Sequence, residues 1–333
     1  MKTYLVDVPV RVNIWIRFDC LKKQFDVLKI ARPSVIFVQS DGGRNENEWN
    51  EIFKGRELYD KNIDWDCRVY KLYENVNNGM YEMAKKTYGL IWSKVDRCIM
   101  LEDDIIPSVS FFQYCAELLE KYKEDQRIEC ICGMNHLGVY NDVNSDYFFS
   151  RQGSIWGYAT WKRVFEGRSS LDYVKDEYVK KILKQRTRHN KIAWKRIMGY
   201  LEHETYEGHV PGNEFWYEFD VYSQNRLQII PKYNMISNIG CNEKATNSAE
   251  LRRIPHGLRK VFNMVIYDIN FPIKHPQYVM PDIEYEKKRN KIMAYNTPCL
   301  LLMRRLEKFI LEFRYGNKKH VLKHYIGKVI KRK

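Results

Sequence analysis

The sequence predicts an α/β protein built on a doubly wound, mostly parallel sheet. Short apolar runs alternate with amphipathic helical stretches through the first 135 residues. Two of those runs end directly in acidic turns, Asp41-Gly42-Gly43 and Glu102-Asp103-Asp104. Composition agrees: with 44% hydrophobic and 14% aromatic residues, the 333-residue chain has ample material for one large core with additions.

The elements follow in order. Val8 to Ile16 reads as a strand, and Asp19 as the cap of a helix with Leu21, Phe25 and Leu28 on one face. After Pro33, the run Val35 to Val38 is a buried strand ended by Asp41. A polar helix follows, then a strand over Arg68 to Leu72 and a helix over Met80 to Trp92. Arg97 to Leu101 is a buried strand running into the acidic triplet. Pro107 and Ser108 open a helix with Phe111, Phe112, Cys115, Leu118 and Leu119 on one side, and Ile128 to Cys132 is another strand.

Beyond residue 145 the pattern is less regular. Tyr147 to Ser150 reads as a strand, Gly153 to Gly157 as a loop and Thr160 to Glu166 as a short helix. Residues 170–210 read as charged and helical, Phe215 to Asn225 as a helix, and Ile229 to Gly240 as strand and loop. The organisation expected is a catalytic domain over 1–248, divided into halves at 135/136, then a connecting segment over 249–297 and a basic helical tail over 298–333.

Charge narrows the function classes. Residues 304–333 hold 11 Lys/Arg against two Glu, so +9 of the net +14 lies in the tail and +5 in all the rest. That distribution speaks against nucleic-acid binding by the fold as a whole. In the tail, Leu302, Leu306, Phe309, Ile310 and Phe313 share one helical face, and Val321, Leu322, Tyr325, Ile326, Val329 and Ile330 another. Lys and Arg back both faces, the pattern of a helix that lies on an anionic membrane surface. The eight cysteines are scattered without zinc spacing and read as reduced thiols. With no apolar run of membrane-spanning length, the expected location is the cytosol, at the inner face of the cytoplasmic membrane.

The acidic triplet carries the chemistry. Ligands of doubly wound sheets collect at the carboxyl ends of the strands, and carboxylate oxygens suit Mn²⁺ or Mg²⁺, which complete their shells with phosphate oxygens. Ile99 to Asp104, with Pro107 and Phe111-Phe112, resembles the metal-binding segment of the N-acetylglucosaminyltransferase I family and of bacterial capsule and lipopolysaccharide glycosyltransferases. Supporting segments are Pro9 to Arg17, Arg32-Pro33-Ser34, Ser40-Asp41-Gly42, Glu74-Asn75 with Gly79, Gly133-Met134-Asn135, Ser150-Arg151, Ile155 to Trp161 and Ser237 to Gly240. Together they span about residues 7–248.

The resemblance implies a GT-A fold and transfer of a sugar from a nucleotide-sugar donor, UDP-linked, to a glycan or lipid-linked acceptor. In that reading Asp104 is the metal ligand, Glu102 and Asp103 face the ribose and donor sugar, Arg17 holds the nucleotide, and Asp41 meets the uridine. Trp156, Gly157 and Tyr158 belong to the sugar and acceptor pocket. Glu214 stands where bacterial relatives carry an aspartate base, and Asp220 is the alternative. The chain departs from the pattern at Asn213-Glu214-Phe215, where relatives have Trp-Asp-Tyr, and at Asn247, where they often have histidine. A nucleotide-sugar-binding protein without transfer and a basic nucleic-acid-binding protein are the competing readings.

Overall fold

The computed structural model describes residues 1–188, 192–195, 197–198, 212–241, 251–295 and 297–316. The chain is a mixed α/β protein around one eight-stranded sheet, with strand order β3-β2-β1-β4-β8-β6-β9-β7. Strands β1 (Val6–Ile14), β2 (Pro33–Ser40), β3 (Arg68–Tyr73) and β4 (Arg97–Leu101) form the parallel half. β4 is apolar and buried after Arg97, while β1 carries Arg11 and Asn13 among the buried Val8, Val10, Val12 and Ile14.

Helix α1 (Phe18–Ala31) crosses from β1 to β2 and buries Leu21, Phe25 and Leu28 against the sheet. Asp19 does not cap it. The cap position is Arg17, without a side-chain cap bond, and Asp19 lies in the first turn, where a carboxylate still complements the helix dipole. α2 (Glu46–Asn62) begins at Asn45, whose side chain accepts from the Glu48 amide at 3.0 Å. α3 (Gly79–Lys94) leads to β4. The helix expected from Pro107 starts later, as α4 (Ser110–Lys121), because Ile105–Pro107 is taken into the short strand β5. β5 pairs antiparallel with β10 (Ile236–Asn238).

The second half mixes directions. β6 (Ile128–Cys132) and β9 (Leu227–Pro231) are parallel to each other, and β7 (Tyr147–Ser150) runs antiparallel at the edge. The expectation of a helix from Thr160 is corrected. Tyr158–Trp161 is strand β8, buried throughout and inserted antiparallel between β4 and β6; the five-residue helix α5 (Lys162–Glu166) begins only after it. Of 170–210, the described part includes a 3₁₀ turn at Leu171–Lys175, helix α6 (Glu177–Arg186) and the helical residues 192–195 and 197–198. α7 (Asn213–Ser223) starts and ends two residues earlier than expected. Tyr173 stacks on Phe219 at 4.5 Å in a small second core around α7.

Residues 251–295 fold onto the same sheet. After the one-turn helix α8 (His256–Arg259), Val261, Ile273 and Tyr285 join the main core, and α9 (Ile283–Met293) packs beside β7. The last helix among the described residues, α10 (Pro298–Tyr315), docks through buried Arg304 and Leu311. Arg304 donates to the carbonyls of Ile292 and Lys291 at the end of α9, satisfying acceptors that a helix terminus leaves open. Its other side carries Leu302, Leu306 and Ile310, each about 60% exposed. The apolar face expected over Val321 to Ile330 lies outside the described residues, as does Asn247. Among the described residues no helix is long and apolar enough to cross a membrane, and none of the eight cysteines is joined in a disulfide.

Candidate active site

Sheet register brings the predicted residues to one edge. Ile14 pairs with Ser40, and Val12 with Leu101, so β1, β2 and β4 end side by side. Arg17, Asp41 and Glu102 to Asp104 therefore leave the sheet together. β8 runs the other way, and its first residue, Tyr158, pairs with Met100 near the end of β4 and with Cys132 at the end of β6. The loop 151–157 thus arrives at the edge where the acidic triplet departs.

Two arginines divide the triplet. Arg17, 9% exposed, donates Nε and Nη2 to Asp103 at 3.0 and 2.5 Å, and Nη1 to Asp104 at 3.0 Å. Arg11, buried within β1, donates Nη1 to Glu102 at 2.8 Å and two bonds to Gln39 Oε1. Asn13 adds a bond to Glu102 at 3.3 Å. The backbone is pinned as well: Gln24 Nε2 donates to the carbonyls of Glu102 and Ile105, each at 2.7 Å.

The three acids are electrostatically distinct. Burial pushes Asp103 up to about 6, against the pull of Arg17. Burial also raises Asp104, with Arg17 opposing and Glu102 reinforcing. Glu102 moves the other way. Desolvation works to raise it, but 49% of its side chain meets solvent, and Arg11 wins, holding it below its ordinary value.

Asp41 is placed at the edge, where N–H groups surround its carboxylate. Oδ1 accepts from the amides of Gly42 and Asn78, both at 2.9 Å, and from Asn78 Nδ2; Oδ2 accepts from the Gly79 amide at 2.9 Å. Asp41 thereby ties the end of β2 to the start of α3, where the helix dipole also favours a negative charge.

Two glycines shape the opposite wall. Gly157 has φ +59°, and its carbonyl accepts from the Gly133 amide at 2.8 Å; a side chain there would press on Ile105 and Ile236. A Cβ at Gly240 would stand 2.1 Å from Asp104 Oδ2 and 2.5 Å from Arg17 Nη1. Only glycine lets the chain after β10 close over the acid cluster. Asn238 follows the same path and donates to Asp104 at 3.3 Å.

A cleft of about 340 Å³ opens beside the loop. Trp156, Glu214, Tyr217, Glu218, Tyr222, His136 and Arg289 are among its lining residues. The Trp156 ring packs on Phe262 at 5.1 Å. Glu214, in the first turn of α7, is exposed to the cleft with Tyr217, Glu218 and Tyr222, one helical face. Asp220 belongs to the other face, which corrects its place as alternative base. It is buried, paired with Arg226 Nη1 at 3.1 Å and bonded to Gln224 at 3.0 Å, so it has no path to a substrate hydroxyl in the cleft.

The structure therefore brings Arg17, Asp41 and the triplet together and sets Gly157 against Ile105 at the same edge, whereas Trp156 and Glu214 line a cleft on the other side of the 151–157 loop and Asp220 is turned away from it. Sequence reasoning missed Arg11, Gln39 and Gln24, whose side chains build the triplet's support. Arg11 was detectable: a lone arginine between valines in a buried strand must have an acidic or carbonyl partner. Among the described residues no group of three or more His, Cys, Asp or Glu is arranged around a metal position. The triplet offers hard oxygens, but Arg17 spans two of its members. Such a donor set suits a divalent cation that takes most of its shell from ligand phosphate oxygens and water, not one caged by protein alone.

No protein-family model matches the chain, and no curated protein matches it. Solved structures similar in part include a mannosyltransferase from Pyrobaculum calidifontis in complex with GDP-mannose and Mn²⁺, with 11% identity, TM-score 0.35, and coverage of 49% of this chain and 48% of that one. Residues 1–349 of Staphylococcus aureus TarS show 9% identity, TM-score 0.32, and coverage of 50% and 48%. A 4-diphosphocytidyl-2C-methyl-D-erythritol synthase from Anaerococcus prevotii shows 10% identity, TM-score 0.36, and coverage of 70% and 89%. The chain spans about half the length of the first two.

Proposed function

We propose that the chain is a glycosyltransferase of GT-A type that moves a sugar from a UDP-sugar to a glycan or lipid-linked glycan, with inversion, in surface-polysaccharide synthesis. The observation that supports this reading is an arginine-braced carboxylate triplet at the end of β4, together with an exposed glutamate lining the cleft beside the 151–157 loop. Solvent-facing acids would need no such bracing; acids that meet a charged ligand do.

Each residue has a role. Arg17 fixes the orientation of Asp103 and Asp104 and adds positive charge near a diphosphate. Asp104 would hold Mn²⁺ or Mg²⁺, which when bound supplies Lewis-acid stabilisation of the departing nucleotide diphosphate. Glu102, kept ionised by Arg11, accepts hydrogen bonds from ribose or sugar hydroxyls. Asp41 sets the loop that borders the nucleotide. Trp156 offers an aromatic face to a sugar ring.

Glu214 takes the proton of the acceptor hydroxyl. The oxygen so activated forms the new bond to the anomeric carbon as the bond to the nucleotide diphosphate breaks, a single displacement that inverts configuration. The exposed apolar side of α10 and the basic residues of 304–333 hold the enzyme against an anionic membrane, where lipid-linked acceptors lie.

A thermal-shift screen of nucleotide sugars with and without Mn²⁺ tests the donor, because a ligand of the native state raises the melting temperature. The expected result is stabilisation by a UDP-sugar that depends on Mn²⁺ and disappears in Asp104→Ala. Stabilisation by no nucleotide sugar, or full transfer by Asp104→Ala, overturns the reading.

A further inference from the structure

We infer that the cleft between the 151–157 loop and α9 receives an oxyanion, a carboxylate or phosphate carried on a sugar, with Arg289 as its receptor. This deepens the glycosyl-transfer reading and rests on it for identifying the ligand as the acceptor.

Arg289 is only 7% exposed, yet among the described residues its hydrogen-bond partners are all neutral. Nη2 donates to the Gly153 carbonyl at 3.1 Å, Nη1 lies 3.4 Å from Gln152 Oε1, and Tyr295 lies beneath the guanidinium at 5.5 Å. Its buried Nε has no hydrogen-bond partner. The acid one turn earlier, Glu286, is engaged by Arg151 at 2.7 Å, and among the described residues no carboxylate lies within 4.0 Å of Arg289. A buried guanidinium without a counter-ion is costly, so native interiors pair such groups. Here the open side of the charge is the cleft it lines.

A second observation points to a ligand. His136, 5% exposed, lines the same cleft, and its Nδ1 also has no partner. Burial, with the charge of Arg289 adding, pushes its pKa well below the usual 6.5, so the ring is neutral. Trp156 supplies an aromatic surface, and Glu214 and Glu218 on α7 supply acceptors for hydroxyl groups. A cationic end, an aromatic wall and hydroxyl acceptors in about 340 Å³ suit a monosaccharide with one anionic substituent.

The full chain is titrated calorimetrically with glucuronate, glucose 1-phosphate, inorganic phosphate and, as neutral control, glucose. At least one charged sugar should bind roughly tenfold or more tightly than glucose, the scale of a charge-assisted pair. Preference for glucuronate marks a carboxylate acceptor; preference for glucose 1-phosphate, accompanied by phosphate binding, marks a phosphorylated one. Gln152→Glu places an isosteric carboxylate beside Nη1 and should abolish the preference, as should Arg289→Met. Since Gln152→Glu supplies Arg289 with a counter-ion, its fold is secured even if Arg289→Met fails to fold. Equal affinity for charged and neutral probes, or a preference that survives Gln152→Glu, overturns the inference. Titration of the same wild-type protein with UDP-sugars separates the two readings: anion binding without donor binding leaves this site standing and removes the transferase.

Discussion

Arg17 grips both oxygens of Asp103, Nε on Oδ2 at 3.0 Å and Nη2 on Oδ1 at 2.5 Å. This fork geometry is one that lysine lacks. Arg17→Met leaves two buried carboxylates without their cation and should destabilise the fold by about 3–5 kcal/mol, the scale for breaking a buried pair. Arg17→Lys should recover part of that stability without the donor affinity. Urea denaturation and donor titration of both variants check this; a Met variant as stable as wild type would show the pair to be dispensable.

Glu214→Gln keeps the shape of the cleft and removes the base. Turnover should drop by roughly two to four powers of ten, the range for general bases, with donor affinity little changed. The check is kcat in a transfer assay alongside a donor titration. A near-normal rate moves the base to another group of the cleft, and the structure leaves Glu218 as the next to test, not Asp220.

Glu129 sits fully buried on β6, with Gln228 Nε2 donating at 2.6 Å. Burial pushes its carboxyl well above the usual 4.5, so the folded protein keeps the proton over a pH range in which the unfolded chain has lost it. The native state then binds more protons, and stability falls as pH rises. Its contribution is fully present below the unfolded value and is lost, at about 1.4 kcal/mol per pH unit, up to the raised folded value. Glu129→Gln should flatten this dependence. Unfolding free energies at several pH values above 4.5 for both proteins measure it, and parallel slopes would place the titration elsewhere.

Leu306 and Ile310 stand one turn apart on the exposed side of α10, at 57% and 60% exposure. Changing both to Glu removes apolar surface and adds repulsion while leaving Arg304 and Leu311 in their docked positions. Sedimentation with phosphatidylglycerol vesicles at low salt should show wild type bound and the double variant at least about tenfold weaker, given that each charge near the surface contributes on the order of 1 kcal/mol. Wild type that ignores such vesicles would mean that this face packs instead on the enzyme itself or on a partner chain.

The parallel half of the sheet was legible because its strands are rich in apolar residues, continuously so at Val35 to Val38 and Cys98 to Leu101, and are bounded by strong turn residues. The acidic triplet was legible for the same reason: Leu101 is the last apolar residue before it. β8 was not, since Tyr158 to Trp161 is four residues long and buried on both sides, and periodicity cannot separate such a run from the start of a helix. The burial of Asp220 was not legible because its partner Arg226 lies beyond the end of α7 and is brought back onto it only by the turn into β9. Asp41 showed its position but not its partners, because the amides of Asn78 and Gly79 come from 37 and 38 residues away. Arg289 carries no local signal at all; its want of a counter-ion exists only once α9 is laid against the loop 151–157.

The reversed strand β8 gives the edge two walls of separate origin. One wall is made by the ends of β1, β2 and β4, whose common register fixes the positions of Arg17, Asp41 and the triplet. The other is a loop entering from the far half of the sheet, tied to it by Gln228, which accepts from Gly153 and donates to Glu129. Lengthening or shortening that loop changes what reaches across the edge without sliding any parallel strand. Selection can therefore remodel one half of the cleft while the other stays as it is, so variety in this lineage should accumulate in residues 151–157 before it touches the braced acids.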